Sequence, residues 1–151
     1  MRRVIRKAVV TIAVGALSTV MAASAFAEDW PLVSGDYWEV TGIDVKDGGS
    51  WKYANWLATE WRKNLEFTKS KGWIKDYMIL ANVHARKGEA DLYLIRVRAD
   101  IPSGPEGEKR QKEYSDWVKK SNEQMVDESG NRAEYREVTS DSLLQVLKFR
   151  N

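Results

Sequence analysis

The sequence predicts an α+β fold with an antiparallel sheet, its elements running β-α-β-β-α-β. Three observations carry that prediction. Aromatic and β-branched residues dominate 36–45 while residues 77–98 alternate around Gly88, apolar residues recur at helical spacing over 54–65 and 114–125, and clusters rich in glycine or proline separate these stretches.

Residues 36–45 (DYWEVTGIDV) make the first predicted strand, which ends at the turn cluster Lys46-Asp47-Gly48-Gly49. Ser50 is placed to cap a helix whose buried face is Ala54, Leu57, Trp61 and Leu65, and Gly72, behind Lys69 and Lys71, stops it. Residues 77–100 (YMILANVHARKGEADLYLIRVRAD) read as a hairpin around Gly88. Alternation puts Tyr77, Ile79, Ala81 and Val83 with Tyr93, Ile95 and Val97 on one face, expected beneath the helices. The other face then holds Met78, Leu80, Asn82, His84 and Arg86 with Leu92, Leu94, Arg96 and Arg98. The faces agree only if paired residue numbers sum to an even number, as with Leu80 opposite Arg96. Residues 101–107 (IPSGPEG) read as a loop, and 108–128 as one helix with Tyr114, Trp117, Val118, Ser121 and Met125 on its apolar stripe. Residues 127–132 turn, and 143–149 (LLQVLKF) form the last predicted strand.

The first 27 residues read as a signal peptide. Arg2, Arg3, Arg6 and Lys7 precede an apolar run over 8–20, too short to span a bilayer, and Ala25-Phe26-Ala27 has the small residues of a cleavage site. Cleavage after Ala27 predicts a periplasmic or secreted protein with no stable membrane insertion, a leader over 28–35 and one domain over 36–151. Removing the four basic residues of the signal leaves 20 basic against 22 acidic side chains, a net of −2. A mildly acidic chain with interspersed signs is not built for nucleic acid. With no cysteine, disulfide staples and thiol chemistry are excluded, and the core alone must hold the fold.

The order β-α-β-β-α-β is that of the ferredoxin-like sandwich, whose helices cover one face of the sheet. The other face is left for a partner. The tryptophan-rich first helix running into KSKGWIKDYMILANV, and the closing LLQVLKFRN, resemble the dimeric α/β-barrel superfamily over most of residues 36–151. The likeness is to its antibiotic-biosynthesis-monooxygenase, EthD and stress-responsive barrel types. This resemblance implies a homodimer of two ferredoxin-like sheets packed face to face. It does not choose an activity, because members of the superfamily include cofactor-independent monooxygenases, haem enzymes, polyketide-tailoring proteins and proteins without assigned activity.

In such a dimer Asn82, His84, Arg96 and Arg98 point between the sheets, and Met78, Leu80, Leu92 and Leu94 line the space with apolar surface. The expected function is therefore an exported small-molecule-binding or structural dimer, with a pocket between the sheets for a small apolar or aromatic ligand. The alternative is a cofactor-independent monooxygenase or isomerase-like enzyme. There His84 serves as general base, and Asn82 or Arg96 steadies an enolate or phenolate. The plain reading of His84 is a half-solvated residue beside the turn. Arg96 and Arg98 can clamp a carboxylate as the ligand-binding pair, and their plain alternative is an ion pair with Glu39, Asp44 or a partner subunit. One histidine and no cysteine leave no expected metal site and no expected cofactor. Trp51, Trp56, Trp61 and Trp73 suggest core and dimer packing before a sugar-stacking surface, and the EGEKRQKEY stretch reads as a solvated charged face.

Overall fold

The computed structural model describes residues 30–151, so the predicted signal peptide and the first residues of the leader lie outside the described residues. The chain forms β1 (Leu32–Val45), α1 (Ser50–Trp56), a π-helical turn (Leu57–Trp61), α2 (Arg62–Ser70), β2 (Asp76–Ala81) and β3 (Leu92–Arg98). Then come α3 (Gly104–Val118), α4 (Asn122–Asn131), a 3-10 turn (Arg132–Glu134) and β4 (Arg136–Phe149). The fold is α+β, with one open four-stranded sheet in the order β2-β3-β1-β4 and every neighbouring pair antiparallel. Among the described residues no helix is long and apolar enough to cross a membrane.

The longest pairing joins β1 to β4, from Leu32 opposite Phe149 to Val45 opposite Arg136. β1 thus begins inside the stretch expected as a leader, and β4 begins well before 143. Neither end carries a strand signal of its own, since Ser34 and Gly35 interrupt the first and residues 136–142 (REVTSDS) are mostly polar. The β1–β4 register shifts between Gly42 and Ile43, where a Cβ on Gly42 would stand 2.4 Å from Ser140 Oγ and would require that side chain to turn aside.

Ser50 to Ser70 winds without a break. Its inner face puts Tyr53 and Leu57 on Ile43 and Leu94, and these four buried residues form a core cluster, with Val45, Trp56, Trp61, Leu92 and Tyr135 packed around them. The helix ends at Gly72 as expected. Its φ of +70° lets Trp73 N–H reach Thr68 O at 3.0 Å and Gly72 N–H reach Lys69 O at 2.9 Å.

The loop expected over 101–107 gives way to α3 at Gly104, and the turn expected over 127–132 is the end of α4 and the 3-10 turn. Two larger differences remain. The helix expected over 108–128 is two helices, because Lys119 turns left-handed (φ +56°, ψ +43°) and Ser121 starts a new one. Ser121 Oγ accepts from Gln124 N–H at 3.1 Å while Gln124 Oε1 accepts from Ser121 N–H at 2.8 Å, a complete capping box. The signature was present in the sequence, but Ser121 also fitted the apolar stripe.

The second difference is the hairpin register. Asp76 pairs with Val97, Ile79 with Leu94 and Leu80 with Tyr93, so paired numbers sum to an odd number. Leu92, Leu94, Arg96 and Arg98 therefore share their face with Tyr77 and Ile79, and that face lies under the helices. Met78 and Leu80 share the opposite face with Tyr93, Ile95 and Val97. Both faces of β3 carry large aliphatic residues, so its alternation alone selects neither. The choice is made at its start, where Asp91 N–H donates to Ile43 O at 2.9 Å and Asp91 Oδ2 accepts from Val45 N–H at 2.9 Å.

Two measurements check this description. Lys119→Gly removes a left-handed residue that carries a Cβ, so the unfolding free energy should rise by about 1 kcal/mol in a urea titration. A fall would mean that the break between α3 and α4 is not held in that conformation. Burial pushes the Tyr53 hydroxyl from 10.0 up to about 12, and neighbouring Arg136 and Arg132 pull it down only in part. Its contribution is complete below pH 10. Between pH 10 and 12 the unfolded chain ionises and the native residue does not. Stability should then drop by on the order of 2 kcal/mol, a drop that Tyr53→Phe lacks.

Candidate functional site

The structure sends the residues singled out from the sequence to four different places. His84 lies in the loop between β2 and β3, exposed, its backbone N–H 3.4 Å from Asn82 Oδ1. Asn82 holds that loop together: its N–H donates to Asp91 O at 2.8 Å and its Nδ2 to Ala90 O at 3.2 Å. Leu94 is buried in the core beneath α1. Met78 and Leu80 look away from the helices. Only Arg96 and Arg98 meet in one site, on the helix side of the sheet rather than between two sheets.

Glu39 holds this pair. It sits opposite Arg96 in the β1–β3 register, and its Oε2 lies 2.8 Å from Arg96 Nε. Arg98 Nη2 donates to Glu39 Oε2 at 3.3 Å. Arg98 Nε comes within 2.6 Å of Oε1, but off the line of its N–H, so that approach is a charge contact and the N–H finds no acceptor. The ion pair with Glu39 that the sequence offers as the plain alternative is therefore present.

Above these two guanidiniums is a cavity of about 440 Å³ between the sheet and the helices. Its walls are aromatic, with Trp56, Trp61, Trp73 and Tyr114, and Arg110 of α3 and Arg132 of the 3-10 turn complete a set of four arginines. The π turn explains part of this lining. In an α-helix positions five apart point in different directions, whereas i→i+5 bonding over 57–61 brings Trp61 round to the side of Trp56. The helical layer above is propped by Phe67 of α2, stacked on Trp117 of α3 at 4.1 Å, and no residue of α3 or α4 is buried. A second cleft of about 590 Å³ shares Trp56, Asn64, Gln111, Tyr114 and Arg132 with the cavity, so the two adjoin.

The electrostatics of the cavity are one-sided. Arg110 Nε donates to Glu106 Oε1 at 2.8 Å, and this bond holds the Glu106 carboxyl below its ordinary range. Arg132 lies 4.3 Å over the Trp56 ring and donates from Nη1 to Glu128 O at 3.0 Å. Burial first, and then the neighbouring Arg136, lower the Arg132 pKa. Arg98 Nε, Arg110 Nη1 and Arg132 Nε are the buried side-chain polar atoms left without a hydrogen-bond partner among the described residues. All three belong to arginines that line this cavity.

Sequence reasoning missed Arg110, Arg132, Trp56 and Tyr114 as site residues. Arg110 carried a usable signal, since it falls four residues before Tyr114 and seven before Trp117 on the apolar stripe. Arg132 carried none, because it reaches the site only through the fold of α4 and the 3-10 turn.

The face opposite the helices presents Trp38, Val40, Met78, Leu80, Tyr93, Ile95, Val97 and Leu144 by strand alternation and register. Ile95 and Val97 at its centre are buried, whereas Leu80 and Leu144 near its edges are 47% and 53% exposed. This face is more apolar than expected, since neither His84 nor the arginines belong to it.

Replacing Glu39 with Gln leaves Arg96 and Arg98 without their shared countercharge in a partly buried setting. The variant should lose roughly 2 kcal/mol of unfolding free energy, read by urea denaturation. An unchanged midpoint would show that solvent already screens the pair. Comparison with known proteins finds no matching family model, no similar curated protein and no similar solved structure.

Proposed function

We propose that the protein is an exported small-molecule-binding protein that acts without chemistry of its own, as a homodimer of ferredoxin-like units. The observation that carries the binding role is the aromatic, arginine-lined cavity beneath the helices. Its volume of about 440 Å³ lies within the range of ligand pockets, and its lining combines aromatic and aliphatic side chains with four arginines. The strand order β2-β3-β1-β4 with antiparallel neighbours supports the ferredoxin-like reading. The apolar face opposite the helices supports pairing of two sheets as in the dimeric α/β barrels, with Leu80 and Leu144 at the contact. The ligand then sits inside each subunit, not between the two sheets. Export rests on the sequence of residues 1–27. No observation favours the reading with His84 as general base, because an exposed loop position sets it apart from the cavity lining.

Native mass spectrometry of the mature protein, purified gently from its producing cells, tests both parts. The expected species is a dimer that retains one small molecule per subunit, and Leu80→Lys with Leu144→Lys should shift it to a folded monomer that still retains the molecule. A wild-type monomer removes the pairing. A dimer that carries nothing, and gains nothing from an extract of small metabolites, removes the binding role.

A further inference from the structure

We infer that the cavity beneath the helices selects a small planar aromatic carboxylate, with Arg110 and Arg132 as the groups that take its carboxylate. The inference rests on the reading of that cavity as the ligand site and goes on to name the class of ligand. Arg96, Arg98, Arg110 and Arg132 bring four positive charges to it, while Glu39 and Glu106 are the carboxylates in direct contact with them. That leaves a local excess of two positive charges. Glu128 in the adjoining cleft does not cancel it, since its carboxylate is held by Lys120 at 2.7 Å.

Arg110 and Arg132 line the cavity from the helical side, and neither is shared with Glu39, which holds Arg96 and Arg98. Charge-assisted hydrogen bonds from a guanidinium favour a carboxylate over a neutral polar group. Trp61, Trp73 and Tyr114 add aromatic surface to the lining, which suits a ring rather than a flexible chain. Trp56 is already covered by the Arg132 guanidinium on one side and is stacked with Tyr53 at 5.7 Å, so it fixes Arg132 in place instead of receiving the ligand.

The test is calorimetric titration of the full mature protein at neutral pH with 2-naphthoate and with 2-naphthamide, which has the same ring and no charge. Naphthoate should bind at least ~10-fold more tightly than the amide, the factor expected when charge-assisted hydrogen bonds are gained. Arg110→Gln should bring naphthoate down to the affinity of the amide and leave amide binding within about twofold, with an unchanged circular-dichroism spectrum. Equal binding of acid and amide by the wild type overturns the inference while the cavity stands as a ligand site. Failure of both probes overturns it too, and retention of another molecule in the native mass spectrum then keeps the broader reading. Tight naphthoate binding that survives both Arg110→Gln and Arg132→Gln overturns the assigned residues. The comparison of acid with amide on the wild type needs no variant, so a poorly folding substitution does not spare the inference.

Discussion

The whole helix side of this protein depends on which face β3 turns toward the helices. Asp91 makes that choice, with its backbone N–H on Ile43 O and its carboxylate on Val45 N–H, clamping the start of β3 against the end of β1. From there Leu92 and Leu94 fall beneath α1, and Arg96 and Arg98 follow at the same alternation farther along. One residue of slip would exchange Leu94 for Ile95 in the core and send both arginines to the opposite face. Glu39 on β1 reinforces the choice, because its carboxylate meets the two guanidiniums only in this register.

The helical layer is shaped to stand off from the sheet at one end and pack tightly at the other. Tyr53 and Leu57 descend into the core, and Trp56 is held between Tyr53 and the Arg132 guanidinium. Farther along, Phe67, Tyr114 and Trp117 join α2 to α3 by one stacked and two tilted ring contacts, so the rings cover each other instead of the sheet. The space left underneath is the cavity. Its four arginines meet only two carboxylates, Glu39 and Glu106, so the cavity keeps a positive excess that suits an anion.

Much of the fold was legible because its signals are local. Gly72 after Lys69 and Lys71 marks a helix end by backbone conformation alone, and the turn cluster at 46–49 ends a strand for the same reason. The alternation of β3 was read correctly as alternation but given the wrong face, since Leu92 and Leu94 on one side and Ile95 and Val97 on the other are equally fit for burial. The capping box at Ser121 was overlooked because Ser121 also matched a helical stripe. The candidate site was legible only in Arg96 and Arg98. Arg132 and Trp56 meet through a cation–π contact between elements far apart in sequence, which no spacing rule registers.

By itself the sequence determined the α+β class, the placing of most strands and helices, the absence of disulfides and the mild net charge after the first 27 residues. These follow from periodicity, turn chemistry and composition, which act over a few residues at a time. Only the tertiary structure decided which face of the hairpin meets the helices, how far β1 and β4 extend, and that four arginines from β3, α3 and the 3-10 turn surround one cavity. Those outcomes depend on pairings between residues distant in the chain. Their energies exist only once the partners are in place.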